Sequence, residues 1–366
     1  MAIENTFSPN YAVHPGEYLG ELLEYSRMEQ VELAVRLNIT PKHVSNMVNG
    51  KVAVTAKTAL ALEYVFPDRP ARYWLGLQDA YDLFEARRDL LDFGNERANS
   101  KKWLESFDMD VLERAGYLPV LGSQEGMQEH TSSLLKFFGC SSIEAWNRIY
   151  GTVALRKTGG HWDERGSLLL AWLRKGQVDA SERVQSLPRF DRRAFGRSLP
   201  RIKRLSQRSD GTVVRDMQRQ CAEVGVMLSI QDPLPDMDAA SAAFWLRNTP
   251  CVQVSKGLQT NDELWLDFAR EAAYVLKGKT YEVSLNGEEW RLAPVESVEE
   301  WLIPWSHCLA FASKEDFSIR AVRDFAVEEG VHPGIVVGML QRAKLVAEKS
   351  PLNELKSRIE YGIVEL

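Results

Sequence analysis

Residues 267 to 279 read DFAREAAYVLKGK, an apolar helical run with one acid, Glu271, near its middle. A zinc hydrolase helix of the H-E-x-x-H kind sets two histidines one turn apart on one face. The intervening glutamate polarises the attacking water. Here Arg270, Glu271 and Tyr274 stand in those three positions. A guanidinium carries a permanent positive charge into the place of a metal ligand, and a phenol is a poor ligand for zinc. No histidine occurs between His161 and His307, so no substitute nitrogen is close in sequence. His307 and Cys308 are adjacent but lack a partner at metal spacing, and they read as packing residues. The expectation is a stretch with no catalytic residue, no metal and no cofactor. Two readings of Glu271 stand side by side. It is a carboxylate in a partly buried pocket that needs a cation, or it is, with Arg270, an ordinary surface residue of a helix. Arg270 is adjacent in sequence but points to another helix face, which leaves open whether it is that cation.

A second group of residues suits recognition rather than catalysis. The stretch from Gln30 to Gly50 has the spacing of a helix-turn-helix: a short bracing helix, a tight turn, and a second helix presented to the major groove. Ala34 is small where the two helices cross. Ile39 and Val44 are apolar where turn and second helix meet the core. The second helix exposes Lys42, His43, Ser45, Asn46 and Asn49. Asparagine pairs bidentately with adenine, and lysine reaches guanine or phosphate. Gln30 and Thr40 open the two helices, where side chains and free N–H groups hold phosphates. Lys51 follows and adds a further phosphate contact.

The elements that must carry these residues are punctuated clearly. Tyr18, Leu19, Leu22 and Leu23 have helical spacing after Pro15-Gly16, and Val31, Leu33, Ala34 and Leu37 form a second run. Asn38 suits a left-handed turn. Thr40 and Pro41 are a cap and a first helical residue, and Asn49-Gly50 is a stop. Helices follow over about 55–65 and 71–97. The middle of the chain is helical in pattern, in LLKFFGCSSIEAWNRIY and GSLLLAWLRKGQVDASERV. Beyond residue 215 the character changes. GVMLSIQDPL and PCVQVS read as strands, and YEVSLNGEEWRLAPV reads as a hairpin turning at Asn286-Gly287. Two last helices meet around 330–333. The fold class is therefore mainly α with a C-terminal α+β part. Three domains are expected: 1–98, 99–215 and 216–366.

Composition limits the function classes. The chain has 366 residues, 45% apolar and 26% charged, with a net charge of −6. That charge does not advertise a nucleic-acid binder, so any DNA affinity must be concentrated on one helix face. The N-terminal MAIENTFSPN has no apolar signal run, and no apolar stretch is long enough to span a bilayer. A cytoplasmic protein with no membrane partner is expected. Four dispersed cysteines fit reduced thiols. One segment, 189–208, holds eight basic residues and a single acid. Its arginines follow helical spacing, although Pro200 could interrupt the helix. It reads as a solvated face or as a second contact for nucleic acid or an acidic partner.

Beyond these residue-level readings, HPGEYLGELLEYSRMEQVELAVRLNITPKHVSNMVNGK, with TAKTALALEYVF and RYWLGLQDAYDL, closely resembles the HigA type of XRE-family antitoxin. The resemblance implies a homodimeric DNA binder that represses its own promoter at a double-stranded operator and neutralises a cognate toxin. FFGCSSIEAW, LLLAWLRKGQVDA, CAEVGVMLSI, DELWLDFAREAAYVLKGK, EEWLIP and VHPGIVVGMLQ resemble, in that order, the zincin-like ImmA/IrrE metallopeptidase-like domain often fused behind HigA-type domains. Together the two resemblances span about residues 12 to 356. In the second family the helix at 267–279 would carry the zinc ligands. Arg270 falls at the first histidine, Glu271 at the general base and Tyr274 at the second histidine. The third ligand falls near Ala293, with Glu296 close but out of register. The implied reading is a catalytically dead peptidase fold that binds toxin or a signal. The alternative is an active metallopeptidase that regulates a repressor or toxin by cleavage through another ligand set.

Overall fold

In the computed structural model, which describes residues 11–91, 97–121, 126–151, 164–237, 241–278, 284–285 and 301–361, the N-terminal helices begin and end at their side-chain signals. These are α1 (Pro15–Ser26), α2 (Gln30–Leu37), α3 (Pro41–Val48), α4 (Ala56–Val65) and α5 (Ala71–Leu91). Asn38 closes α2 in the left-handed region at φ 54°, and Gly50 ends the α3 turn at φ 67°. Thr40 Oγ1 accepts from the His43 N–H at 3.2 Å, and Thr55 Oγ1 from the Thr58 N–H at 3.3 Å. Leu19, Leu23, Leu33, Ala34, Leu37, Val44, Met47, Leu62 and Trp74 are buried together. Ile39 and Leu22 pack at the margin of this core.

The chain divides into two compact units, residues 1–100 and 101–366. The expected boundary near 98 falls close to this division, and the one at 215 falls inside the second unit. The physical reason is a sheet that is buried on both faces. Its strands are β1 (Met227–Gln231), β2 (Ser241–Leu246), β3 (Thr249–Ser255) and β4 (Ser284–Leu285), in the order β1-β3-β2-β4. β1 runs parallel to β3, whereas β2 pairs antiparallel with both β3 and β4. Side chains alternate along each strand. Leu228, Ala243, Val252 and Val254 enter one core. Met227, Ala242, Phe244 and Cys251 enter the other.

The first of these cores is filled by α11 (Arg192–Leu205), α12 (Val213–Ala222), α13 (Asn261–Lys277), α14 (Trp305–Ala312), α15 (Ile319–Glu329) and α16 (Pro333–Arg342). The second is filled by α6 (Arg97–Glu105), α7 (Met109–Arg114), α8 (Met127–Phe138), α9 (Ile143–Trp146) and α10 (Glu164–Arg183). Trp103, Phe107, Phe138, Trp146 and Tyr150 stack edge to face there. The helical middle of the sequence thus covers one face of the sheet that the later sequence builds. No helix among the described residues is long and apolar enough to cross a membrane.

Several local expectations change. Pro200 does not interrupt its helix: α11 continues through it to Leu205. β2 is a strand that the sequence reading lacks, joined to β3 by a turn with Arg247 at φ 55° rather than by glycine. The hairpin placed at Asn286-Gly287 lies outside the described residues, as do Ala293 and Glu296. His307 is no packing residue: its side chain is 56% exposed and pairs with Glu329 at 2.6 Å. Only its neighbour Cys308 is buried.

One tripeptide is used twice. His14 precedes Pro15 and Gly16 at the start of α1, and its Nδ1 accepts from the Gly16 N–H at 2.9 Å. His332 precedes Pro333 and Gly334 at the start of α16, and its Nδ1 accepts from the Gly334 N–H at 3.1 Å. In both, the imidazole supplies the acceptor that Ser, Thr, Asp or Asn usually provides.

Candidate nucleic-acid interface

The second helix of the helix-turn-helix presents its polar residues opposite its buried ones. Val44 and Met47 of α3 point into the core. Lys42, Ser45, Asn46 and Asn49 fall at i, i+3, i+4 and i+7, which places them on one stripe of the other face. Lys42 and Asn49 are exposed, and His43, Ser45 and Asn46 are half-buried. His43 sits on the flank of the stripe. The Asn49 amide is already committed, because its Nδ2 donates to the Ser45 carbonyl at 2.7 Å and to Ser45 Oγ at 3.2 Å. Asn46 makes no comparable side-chain bond among the described residues. Of the two asparagines it is therefore the one equipped for bidentate pairing with adenine.

The remaining expected contacts lie at helix ends. Thr40 is exposed but spends its oxygen as the cap of α3. Gln30 is exposed at the first position of α2, whose N-cap residue Glu29 makes no side-chain cap bond. Lys51 is exposed, with its N–H held by the Asn46 carbonyl at 2.8 Å. Cation, amide, hydroxyl and helix N-termini are the donors that phosphates and base edges accept.

Other residues of the same motifs have a different task. Gln78 is buried on α5, accepts from the Val54 N–H at 2.8 Å and donates to Asp82 at 2.8 Å. It fixes the loop between α3 and α4. Tyr81 meets the His14 ring edge-on at 4.8 Å. Gly16 lies under the Met47 carbonyl so closely that no Cβ fits. These residues position α3 and the loop that follows it. The signal for them in the sequence is the HPG and LQ-YD pattern, which does not say what each residue does.

The His14 cap makes this unit acid-sensitive. Burial holds the imidazole below its ordinary value of about 6.5, against opposing pulls from Asp82 and Glu17. A group with a depressed folded pKa takes up its proton first in the unfolded chain. Its contribution is thus complete above about pH 6.5 and is lost as the pH falls below that value. The chemical-unfolding midpoint of the first unit is expected to drop between pH 7 and pH 5. His14→Asn, which keeps an acceptor without titrating, should flatten that drop. An identical pH slope in the two proteins would rule out the cap as its source.

In the second unit, α13 carries Arg270, Glu271 and Tyr274. Glu271 is 0% exposed and Tyr274 is buried. Arg270, 12% exposed, turns toward Glu271 rather than away: its Nε lies 3.5 Å from Glu271 Oε1, and its Nη2 donates to Ser241 Oγ on β2 at 2.8 Å. Ser241 Oγ donates in turn to Glu271 Oε1 at 2.9 Å. Asp267 Oδ1 takes Arg270 at 3.1 Å and Arg342 of α16 at 2.9 Å. The surface reading of Glu271 is therefore wrong, and Arg270, left open from the sequence, is a cation beside it. Among the described residues, Arg270 and Arg342 thus face Asp267 and Glu271, and the Ser241 hydroxyl bridges Arg270 and Glu271. A zinc ion does not fit this donor set, in which a guanidinium stands at one ligand position. Among the described residues, no three His, Cys, Asp or Glu side chains gather where they could hold a metal.

No protein-family model matches the chain. Its relatives align with about a fifth of its length. Virulence-associated protein I of Dichelobacter nodosus is 38% identical over 79 residues, covering 21% of this chain and 72% of that protein. The uncharacterised HTH-type transcriptional regulator YddM of Escherichia coli K12 is 34% identical over 74 residues, covering 20% of this chain and 78% of that protein. Among solved structures, an addiction module antidote protein of a HigA family from Coxiella burnetii is 40% identical. It covers 21% of this chain and 84% of that chain, with a TM-score of 0.20. The Pseudomonas aeruginosa antitoxin HigA, solved with the higBA promoter, is 29% identical. It covers 25% and 90% of the two chains, with a TM-score of 0.20.

Proposed function

Because the chain belongs, by its N-terminal unit, to the helix-turn-helix transcriptional regulators, we propose that it is a sequence-specific DNA-binding repressor of HigA-type antitoxin character. It binds a double-stranded operator at its own promoter as a homodimer and neutralises a cognate toxin. The observation that carries this reading is the α3 stripe. Lys42, Ser45, Asn46 and Asn49 face away from a core that Val44 and Met47 anchor. The relatives that are more than 30% identical align with this unit.

The second unit has a different task in this reading. It is a peptidase-like fold without catalysis, and it binds the toxin or a signal. The Arg270–Ser241–Glu271 arrangement supports that role, because it fills with an ion network the position where a working enzyme keeps a metal and a water.

The test is promoter binding by fluorescence anisotropy across a salt series, with the full chain. Changing Lys42, His43 and Asn46 together to Ala is expected to abolish preference for the promoter over a scrambled duplex. Asn46→Ala alone should remove about 1–3 kcal/mol of discrimination at one base pair. Asn49→Ala should do less, since its amide is held by Ser45. Promoter preference that survives the triple change sinks the proposal.

A further inference from the structure

The basic run at 189–208 folds into a feature that its sequence alone does not define. Arg193, Arg197, Arg201 and Arg204 of α11 are all exposed. Their spacing of four, four and three residues holds them to one face of the helix. Phe195, Leu199, Ile202 and Leu205 turn the opposite face into the core. Arg201 is engaged by Gln220 of α12 and by Glu223, which caps the end of that helix. Arg193, Arg197 and Arg204 take part in none of the ion pairs found among the described residues. Asp191, the one acid within 189–208, is occupied as the cap of α11, accepting from the Arg193 and Ala194 N–H groups at 2.8 and 3.0 Å.

We propose that this arginine stripe is a second DNA contact, gripping the phosphodiester backbone of the duplex without reading its sequence. Guanidiniums stepped roughly 6 Å apart along a helix suit a row of phosphates, and arginine bonds each phosphate through two N–H groups. The stripe also lacks what a protein partner would require. No large apolar side chain is exposed anywhere in 189–208, whereas the core of a protein interface is apolar and depleted in charge. In a chain with a net charge of −6, this concentration of positive charge is local and one-sided.

The inference rests on the DNA-binding reading above, and its test separates the two. The full-length protein and an Arg193→Gln/Arg197→Gln/Arg204→Gln variant are titrated with the promoter and with a scrambled duplex, between roughly 50 and 200 mM salt. The variant is expected to weaken binding to both duplexes by the same factor, tenfold or more at low salt. The slope of log affinity against log salt should fall by about 2–3, near 0.9 for each phosphate that an arginine no longer neutralises. The preference for promoter over scrambled DNA should not change. Circular dichroism and thermal unfolding check that the exposed substitutions leave the fold intact.

An unchanged slope with both duplexes overturns the stripe as a DNA-binding surface. So does a weakening confined to the promoter, or a variant that keeps its DNA affinity and no longer binds an acidic protein. If the unmodified chain shows no promoter preference, the helix-turn-helix reading has failed instead. The stripe is then judged by the scrambled-duplex slope alone.

Discussion

Replacing Gly16 with alanine is expected to lower the stability of the first unit by a large fraction and to weaken promoter binding, while the second unit keeps its stability. Two effects compete at this position. By helix propensity, alanine near the start of α1 should stabilise it by up to about 1 kcal/mol. Against that, a Cβ on Gly16 would collide with the backbone carbonyl of Met47 and press on the His14 ring. Backbone cannot swing aside as a long side chain can. The collision therefore forces α1 away from α3, at a cost of about 3 kcal/mol or more. A unit of this size has only about 5–15 kcal/mol in hand. Chemical unfolding followed separately for the two units decides the matter by sign. A Gly16→Ala protein as stable as the parent, with promoter affinity intact, would show that the two helices do not meet as described.

The second large effect concerns Glu271. Glu271→Gln keeps the shape of the side chain and removes its charge. Arg270, 12% exposed, then loses the charged carboxylate oxygen beside its Nε. Breaking a buried pair by removing one partner costs about 3–5 kcal/mol. The expected result is a large drop in the unfolding midpoint of the second unit. A general base in a working peptidase would behave in the opposite way. Its replacement would abolish hydrolysis and leave stability near that of the parent. The parent protein is therefore also dialysed and assayed for metal and for peptide hydrolysis. Stoichiometric zinc that survives dialysis, with unchanged stability in Glu271→Gln, would overturn the non-catalytic reading.

The parts of the fold that sequence makes legible are those with local causes. The helix-turn-helix can be read because Asn38, Thr40, Pro41 and Gly50 each act within three or four residues of themselves. The face of α3 follows from its period alone. What escapes is set by distant partners. β2 reads SAAFWL, and its small residues sit against α13, which follows only after β3. Its turn uses Arg247 in the left-handed region, where glycine or asparagine would have signalled a hairpin. The neighbours of Arg270 are misread from sequence because adjacent helix residues normally diverge. Ser241, far away along the chain, draws both side chains to one oxygen. Asn49 looks equivalent to Asn46 in the sequence, and only the bond from its amide to Ser45 separates the two.

The duplicated His-Pro-Gly start carries a consequence for proton uptake. Each imidazole accepts from a glycine N–H, so each must stay uncharged for its helix to begin as it does. His332 is held further in that state by Asn261 at 2.6 Å on the same nitrogen and by Ser357 at 3.2 Å on the other. Burial depresses both groups. Both units are therefore expected to lose stability as the pH falls below about 6.5, each through proton uptake at its own capping imidazole.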